Sequence, residues 1–533
     1  MVDPAAVTNQ PPPRRDMDLW AMDPVLSDHA TAAGADAATL LSFARDLGRT
    51  EMAEAARDAN RHPPELVTHD RAGRRIDLVR FHPAYHGFLQ RGLAAGYAAG
   101  PWTGAKGGHA THAAMVYLQS QVEPGTACPM TMTYAVVPAL DADPVIAAVW
   151  RPRILGARYD PADAPVEAKS GATIGMAMTE KQGGSDLRAN MTRATPEGSL
   201  YRLIGHKWFC SAPMSDAFLT LAQTEAGLTC FLVPRWHEGE RNGIRLMRLK
   251  DKLGNRSNAS AEIEYHGALA HRLGAEGEGV RTIITMVHHT RLDTALAPAG
   301  LMRAALAEAV HWVTHRTVFQ RRLVDQPLMR AVLADLALDW EGATALGFRV
   351  AAAFDDPAAG PLARVGVALA KFLSNKLCPV VVAEAMEVMG GMGYVEDTTL
   401  PMLYREAPLN AIWEGSGNVM ALDILRTLAR DAEAAPQLGH ALDSATGADR
   451  RYDRALRDYR ARWPRGASEP EARWFAEQTA LLLTASALLA AAPGPVADAF
   501  IATRLDRDRG QIRGAHRLAD TDALLARLGS SSW

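Results

Sequence analysis

Apolar positions recur with two different periods along the chain. From about Thr31 to Gln121, apolar residues, many of them alanine, lie at helical spacing between short loops. From about Thr173 the pattern changes to short runs of β-branched and aromatic residues, separated by glycine and polar residues as in a small antiparallel domain. Helical periodicity returns near Gly279 and continues to about Arg430. The order helix, sheet, helix predicts an α+β fold.

A further helical block is predicted after this point. Residues 431–449, DAEAAPQLGHALDSATGAD, have the composition of a linker. In RRYDRALRDYRARW, which begins at Arg450, one helix face is apolar and carries Tyr452, Leu456, Tyr459 and Trp463. Arginine and aspartate interleave on the other face, which favours a solvated amphipathic helix. The predicted domains are residues 1–172 (N-terminal arm and helices), 173–278 (middle β-domain), 279–437 (helical bundle) and 438–533 (extra helical tail).

Composition narrows the class of protein. The chain has 533 residues, of which 48% are hydrophobic and 22% charged, as in ordinary globular proteins. Its formal net charge of −3 gives no overall reason to expect a nucleic acid or an anionic membrane as partner. The apolar run Leu481–Ala492 is shorter than a membrane span, and the N-terminus lacks the apolar stretch of a signal peptide. We therefore expect a soluble, cytoplasmic protein with no membrane partner.

The four cysteines show no pattern of metal ligands or of a disulfide framework. They are Cys128, Cys210, Cys230 and Cys378, and they stand far apart. Reduced, mostly buried thiols and the absence of a metal site are the expectation.

Two segments of the middle domain suit a planar ligand. In Met176–Asp186, MAMTEKQGGSD, a strand runs into a Gly-Gly turn, which exposes backbone N–H groups and lets a planar or anionic ligand approach closely. By itself this segment is also typical of an ordinary loop. In Gly205–Ser211, GHKWFCS, an aromatic residue beside a hydroxyl could form the wall of a heterocycle site. The alternative is a strand that buries Trp208 or Phe209 in the core.

A third segment contains a candidate general base. Met389–Tyr394, MGGMGY, predicts a glycine-rich turn between helices, and Ile412–Asn418, IWEGSGN, places Glu414 among apolar residues before Gly-Ser-Gly. An apolar environment raises the pKa of a carboxyl group, which helps it to act as a base near neutral pH. Taken alone, this glutamate could equally be a surface residue or a helix cap.

Together these segments resemble the acyl-CoA dehydrogenase family over about residues 120–430. RTVFQRRL, from Arg316 to Leu323, is similar to the R-x-x-F helix of that family. LKDKLGNRSNAS, from Leu249 to Ser260, and RFHPAYH, from Arg80 to His86, resemble the AidB (adaptive-response alkylation-damage) branch, and the arm and tail extend this likeness over nearly the whole chain. The resemblance implies an acyl-CoA dehydrogenase-like fold with an extra helical tail, FAD as cofactor, and a homotetramer.

The resemblance also implies roles for individual residues. Glu414 would take the α-proton of an acyl-CoA, while its backbone N–H and the cofactor polarise the thioester carbonyl. Thr290 occupies the position where some members carry the base instead, and His288 stands where many members have an aspartate for substrate. Arg316 and Phe319 would reach the cofactor of a neighbouring subunit. The residues expected to bind FAD are Met176, Met178, Thr179, Gly184, Ser185, Phe209, Ser211, Arg316, Phe319, Gly390, Gly391, Trp413, Ser416 and Asn418.

Three functions are compatible with this pattern. The first is FAD-dependent α,β-dehydrogenation of an acyl-CoA with Glu414 as base. The second is a flavoprotein that protects DNA from alkylation damage, binding double-stranded DNA through the tail, with weak or vestigial dehydrogenase activity. In the third, the reduced flavin reacts with oxygen or with a nitro- or alkyl-substituted small molecule. The sequence determines neither the acyl chain length nor the choice among these functions.

Overall fold

The computed structural model describes residues 6–529, and the contacts within it divide the chain into two compact units. The first, here called the helical unit, comprises Met1–Met52, His109–Val122 and Thr294–Trp533. The second, here called the sheet unit, comprises Ala53–Gly108 and Glu123–Asp293. The two units are defined by contacts between residues, and they do not test the four predicted domain boundaries. Those boundaries stay predictions.

The elements have the following bounds. The helices are α1 (Pro24–Ala32), α2 (Ala37–Leu47), α3 (Thr50–Arg61), α4 (Pro83–Ala94), α5 (Gly108–Val122), α6 (Ala127–Ala135), α7 (Pro144–Leu155), α8 (Gly279–His315), α9 (Pro327–Asp355), α10 (Gly360–Val388), α11 (Leu400–Glu406), α12 (Gly417–Arg430), α13 (Ala434–Asp443), α14 (Arg450–Arg462), α15 (Ala472–Ala491), α16 (Gly494–Phe500) and α17 (Thr521–Ala526). The strands are β1 (Glu65–His69), β2 (Arg75–Arg80), β3 (Ile174–Ala177), β4 (Arg193–Glu197), β5 (Leu200–Ser211), β6 (Ala217–Thr224), β7 (Gly227–Pro234), β8 (Trp236–His237), β9 (Glu240–Arg241), β10 (Ile244–Leu249), β11 (Ser260–Arg272), β12 (Thr317–Val318) and β13 (Arg321–Arg322). This order confirms the α+β fold class.

The core of the sheet unit is one large β-sheet. Its strands follow the order β10, β11, β5, β4, β6, β3, and β7 pairs with both β11 and β6. The sheet was predicted to be antiparallel, but β3 pairs with β6 in parallel, with Ile174 opposite Ala217. The parallel pair forms because the chain leaves β3 through a long turn and returns through β4 and β5 before β6. Side chains that alternate along the strands fill the core, among them Leu203, Phe218 and Ile263.

The prediction of helices throughout the N-terminal region is wrong at one place. Strands β1 and β2 form an antiparallel hairpin with Leu66 opposite Val79. Its turn contains Gly73 with a φ of +79°, a backbone conformation that glycine adopts at little steric cost. Val79 is buried in the core of the sheet unit, and Leu66 and Phe81 pack against that core. Packing on the large sheet therefore overrides the helical character of the neighbouring alanine-rich sequence.

In the helical unit, the predicted linker is also wrong. Residues 431–449 contain α13, whose buried side chains are Ala434, Leu438, Ala441 and Leu442. These positions share one helix face, so the segment is anchored to the unit by apolar contact. Helix α15 packs against α9, α10 and α12, and the tail is therefore part of the same hydrophobic core.

Two helical segments of this unit have the length and apolar composition of a membrane span. They are Pro357–Val388 and Glu469–Ala491, and most of each is buried within the fold. Core helices of this kind pass the same test of length and hydropathy, so the two segments are weak evidence for a membrane.

The R-x-x-F segment is not helical, contrary to the resemblance. Helix α8 ends at His315, and the next residues form the short β12–β13 hairpin. At its turn, Phe319 has a φ of +51° and Gln320 a φ of +64°. Two consecutive left-handed residues match the turn of a two-residue hairpin and cannot continue a right-handed helix.

Helix α14 confirms the predicted apolar stripe. Tyr452, Leu456 and Trp463 are buried, and Asp449 caps the helix by accepting hydrogen bonds from the backbone of the first turn. Several arginines of its polar face pair with acids of the same unit. Arg451 lies 2.6 Å from both Asp449 and Asp498, Arg454 pairs with Asp506, and Arg460 lies 2.8 Å from Asp443. Much of the positive charge of this face is therefore neutralised locally.

The cysteines are as expected. All four are free and buried, and burial raises the pKa of the Cys230 thiol to about 12. Such thiols stay protonated and unreactive near neutral pH. Within residues 6–529, no cluster of three His, Cys, Asp or Glu side chains has the arrangement of a metal site.

Candidate functional site

The predicted site residues fall into two groups, one in each unit. The group in the sheet unit comprises Met176, Met178, Thr179, Gly184, Ser185, Phe209 and Ser211. The group in the helical unit comprises Arg316, Phe319, Gly390, Gly391, Trp413, Glu414, Ser416 and Asn418. In the sheet unit, residues distant in sequence are brought close together, whereas in the helical unit they lie at three places; the roles of both groups as cofactor contacts stay predictions.

In the sheet unit, the fold brings the first two predicted segments together. The backbone N–H of Trp208 on β5 donates to the carbonyl of Thr179, just beyond β3, at 2.8 Å. The following turn is closed by Glu180 and Gly183, whose backbones exchange hydrogen bonds of 3.2 and 3.0 Å. At Gly184 a Cβ atom would lie 2.5 Å from Thr179 Oγ1, so a side chain cannot be accommodated without a shift. Glycine is therefore required to bring this turn against β3.

The exposed surface beside this turn suits a flat ligand. Phe209 is 48% exposed on β5, so the alternative of a core position is wrong for this residue. The hydroxyl of Ser211 lies two residues along the strand, 3.0 Å from Ser260 Oγ. The ammonium group of Lys250 lies 4.8 Å from the centre of the Phe209 ring. An exposed aromatic face beside hydroxyl groups can stack on a heterocycle and bond to its edge.

A buried ion pair stabilises the turn at Glu180–Gly183, which follows β3. Lys207 Nζ lies 2.7 Å from Glu180 Oε1, and both side chains are fully shielded from solvent. Glu180 also accepts from the backbone N–H groups of Met191 at 2.6 Å and Thr192 at 3.2 Å, and Lys207 donates to the carbonyl of Leu221 at 2.8 Å. These partners connect the turn to β5, to β6 and to the segment that leads into β4.

The same contacts keep both groups charged near neutral pH. Burial alone would raise the pKa of Glu180, but the attraction of Lys207 and the hydrogen bonds outweigh it and lower that pKa to about 2. Burial lowers the pKa of Lys207 to about 8, because Glu180 only partly compensates the lost hydration of the ammonium group. Neither residue was singled out from the sequence, although both lie inside the predicted segments.

In the helical unit, the loop that carries Glu414 has an unusual backbone. Glu414 has a φ of +55° and Gly415 a φ of +102°. A left-handed conformation at a non-glycine residue is uncommon and requires support from surrounding contacts. The indole N–H of Trp413 donates to Asn410 Oδ1 at 2.7 Å, and Ser416 forms the first turn of α12 by accepting from the backbone N–H of Met420 at 2.9 Å.

The strongest support for this loop comes from Lys371 on α10. Its side chain is buried, and Nζ donates at 2.8 Å to the carbonyls of both Asn410 and Gly415. An ammonium group that bridges two carbonyls fixes the backbone on both sides of Glu414, because hydrogen bonds from a charged donor are stronger than neutral ones. The sequence analysis did not single out Lys371. The signal that could have identified it is a lysine within the apolar helical run VALAKFL.

Lys371→Met removes both bonds and keeps an unbranched apolar stem. If Glu414 acts as a base, we expect the rate of flavin reduction at saturating acyl-CoA to fall about 10–100-fold, since misplacement by about 1 Å is this costly. The KM should change much less, and stopped-flow absorbance under anaerobic conditions measures both. Lys106→Met, at an exposed loop position, is the matched control. A Lys371→Met rate equal to the wild-type rate would contradict the positioning role.

The remaining residues of the helical unit lie at two further places. Gly390 and Gly391 begin a short 3-10 helix, Gly390–Tyr394, in place of the predicted glycine-rich turn between α10 and α11. An added Cβ atom at either glycine would meet no atom within 4 Å. Asn418 Oδ1, in the first turn of α12, accepts from Arg473 Nη1 of α15 at 2.8 Å. Arg316 lies before the β12–β13 hairpin, and Phe319 at the hairpin turn is 87% exposed.

Helix α8 carries Thr290 and, one turn later, a buried carboxylate that contacts α6. Thr290, at the alternative base position, donates its hydroxyl to the carbonyl of Val287 at 3.0 Å within the helix. One turn later, the carboxylate of Asp293 accepts from Thr131 of α6 and from Tyr97 at 3.3 Å. Thr290 carries no acidic group, so within the predicted site Glu414 is the residue suited to take a proton.

Comparison with known proteins links both groups of residues to one family. Residues 9–161 match the family described as adaptive response protein AidB N-terminal domain. Residues 175–268 match the acyl-CoA dehydrogenase middle domain, and residues 277–429 match the acyl-CoA dehydrogenase C-terminal domain.

Individual relatives agree with this match. The chain is 45% identical to the AidB protein of Escherichia coli (strain K12), over 98% of both chains. It is 35% identical over 305 residues to acyl-CoA dehydrogenase family member 11 of Caenorhabditis elegans, covering 54% of this chain and 49% of the relative. The crystal structure of C. elegans ACDH-11 in complex with C11-CoA superposes with a TM-score of 0.84 at 25% identity, covering 95% of this chain and 93% of that one. Butyryl-CoA dehydrogenase from Megasphaera elsdenii shares the fold at 20% identity, with a TM-score of 0.59 over 76% of this chain and 98% of that chain.

Proposed function

The chain belongs to the acyl-CoA dehydrogenase family, and on that premise we propose that it is an AidB-like, FAD-dependent enzyme that removes the α and β hydrogens of an acyl-CoA. The observation that carries the proposal is the loop around Glu414. A carboxylate in a left-handed conformation, with Lys371 bonded to the backbone on both sides of it, is a costly arrangement that suits a positioned general base.

The residues present fit FAD in both units. In the sheet unit, the exposed face of Phe209 and the hydroxyl groups of Thr179 and Ser211 suit an isoalloxazine ring and its polar edge. In the helical unit, the backbone at Gly390 and Gly391 is open to a ligand, since a Cβ atom added to either glycine would have no other atom within 4 Å. FAD, when bound, supplies the acceptor for the hydride that leaves the β-carbon.

The protein contributes the proton acceptor and the polarising donor. The Glu414 carboxylate takes the α-proton, and the backbone N–H of Glu414 donates to the thioester carbonyl, which stabilises negative charge as the proton leaves. Lys371 keeps that N–H and that carboxylate on a fixed backbone, because its two acceptors flank Glu414 in sequence. Loss of the α-proton and of the β-hydride leaves a trans-2-enoyl thioester.

An acyl-CoA is the proposed substrate class. The structure of ACDH-11, which superposes on 95% of this chain, was solved in complex with C11-CoA. On α8 the carboxylate of Asp293 accepts from Thr131 of α6, and His288 of the same helix stands where many members of the family have an aspartate for substrate.

The absorption spectrum of the purified protein tests the proposal. We expect the visible absorption bands of an oxidised flavin, which bleach on anaerobic mixing with an acyl-CoA. A panel from butyryl- to dodecanoyl-CoA, including isovaleryl-CoA, covers the chain lengths in question. Bleaching by none of these thioesters would overturn the dehydrogenase proposal, and peroxide formed in air would favour reaction with oxygen.

We further propose that the protein is a cytoplasmic homotetramer and that it binds duplex DNA. Resemblance to the AidB branch supports DNA binding, whereas the ion pairs of α14 oppose it by neutralising Arg451, Arg454 and Arg460. Phosphate contacts make affinity fall steeply with salt, with a slope of about −0.9 per contact. A salt series with wild-type protein and a variant with glutamine at Arg450, Arg457 and Arg462 would reveal a tail-mediated contact as a reduced slope.

A further inference from the structure

Asn9 of the N-terminal arm contacts the β12–β13 hairpin. Asn9 Nδ2 donates to the carbonyl of Thr317 at 2.8 Å, and the backbone N–H of Thr317 donates to Asn9 Oδ1 at 2.7 Å. The carboxamide thus pairs with both backbone groups of one residue, as a neighbouring strand would do. Arg316 Nη1 donates to the backbone carbonyl of Asn9 at 2.6 Å, so the same residue also holds the guanidinium group.

Residues 9–14, here called the strap, have two further attachments. The carbonyl of Pro12 lies 2.7 Å from His311 Nε2, and Arg14 Nη1 lies 2.8 Å from Glu308 Oε1. Both partners are on α8, one and two turns before its end. The strap therefore begins at the hairpin, at Asn9, and runs back along the last two turns of α8 to Arg14. Asn9 has a φ of +53°, a conformation that asparagine tolerates better than most residues.

The hairpin itself needs support. Its strands have two residues each, and its turn places Phe319 and Gln320 in the left-handed region without a glycine. An isolated hairpin is at best marginally stable, and non-glycine residues with positive φ add strain. On its outer edge, the Asn9 carboxamide satisfies both backbone groups of Thr317 and takes the place of a neighbouring strand. Gln326 Nε2 donates to the carbonyl of Val318 at 3.1 Å, which further supports the hairpin.

We propose that Asn9 is a positioning residue. It holds Arg316 and Phe319 in the arrangement in which they contact a second copy of this chain. Phe319 is 87% exposed at a turn that the strap keeps ordered, and a large exposed aromatic side chain on a rigid support is typical of an interface anchor. The inference rests on the proposed function and on the family resemblance, which implies that these two residues reach the cofactor of a neighbouring subunit. The strap holds them in place for that contact.

Asn9→Gly tests this directly. Glycine keeps the left-handed backbone without strain and removes the carboxamide, while Gln10→Gly removes an exposed neighbouring side chain of similar chemistry. In Asn9→Gly we expect the Thr317 amide to exchange with solvent about tenfold faster or more, since its acceptor is lost. We also expect the assembled fraction at low micromolar protein, measured by mass, and the flavin content to fall, with Gln10→Gly like wild type.

Two results would overturn the inference. One is Thr317 exchange in Asn9→Gly equal to that in Gln10→Gly, which would show that the carboxamide does not order the hairpin. The other is faster exchange with unchanged assembly and flavin content, which would show that hairpin order does not matter for the contact. Failure of the proposed function is distinguishable, because it would appear as wild-type protein that no acyl-CoA bleaches, whereas exchange and mass still decide the role of Asn9.

Discussion

Replacing Glu414 with glutamine should slow flavin reduction by an acyl-CoA by about 10²–10⁴-fold, the usual contribution of a general base. Glutamine has the same shape and keeps the backbone N–H that polarises the thioester, but it cannot accept the α-proton. Lys371 bonds to backbone carbonyls, so the loop should keep its conformation in the variant. The flavin content and the visible spectrum should therefore match those of wild type. Anaerobic stopped-flow mixing with the fastest acyl-CoA of the panel measures the rate.

The matched control for this experiment is Glu387→Gln. Glu387 is an exposed glutamate on α10 in the same unit, so the same chemical change is made away from the loop. We expect its reduction rate to equal that of wild type. A Glu414→Gln protein that bleaches at the wild-type rate would show that another group takes the proton. Loss of flavin from Glu414→Gln would show a role in cofactor binding instead.

The second large effect is expected for Lys207→Met, which leaves Glu180 charged, buried and without its cation. Breaking a buried ion pair from one side costs about 3–5 kcal/mol of folding free energy. The urea and thermal midpoints should both fall, and the apparent affinity for FAD should weaken because Glu180 anchors the turn beside Thr179 and Gly184. Adding Glu180→Gln should restore part of the loss, since the unpaired charge is then removed.

The control for Lys207→Met is an exposed pair on the same sheet. Glu197→Gln breaks the contact with Arg202, where both side chains are largely in solvent, and it should leave the midpoints unchanged. A Lys207→Met protein as stable as Glu197→Gln would contradict the anchoring role of the buried pair.

The pH dependence of stability has a definite sign for Glu180. Its pKa in the folded protein is lowered to about 2, below the ordinary value of 4.5. The stabilisation by its ionised form is therefore complete above about pH 4.5 and is lost as the pH falls toward 2. In a Glu180→Gln variant, this part of the acid sensitivity should be absent.

Local patterns were sufficient for much of the fold. The order of helices and sheet and the apolar face of α14 with Tyr452 and Leu456 were predicted correctly from the sequence. These features depend on spacing within one element or one turn, and this spacing is visible in the residues themselves. The failures were the β1–β2 hairpin, helix α13 and the hairpin after Arg316, where packing against a distant element overrides local character.

The sequence by itself determined the family, the candidate base Glu414 and the segments suited to a flavin, because each depends on residue types at fixed local spacing. Only the tertiary structure decided what supports them. Lys371 is 44 residues from Gly415, and Asn9 is 308 residues from Thr317. The buried ammonium group of Lys371 needs partners because burial makes an unpaired polar group costly, and the folded backbone supplies them. The exposed carboxamide of Asn9 meets Thr317 only because the fold brings the two segments together. No local pattern records which distant carbonyl or amide will be within reach.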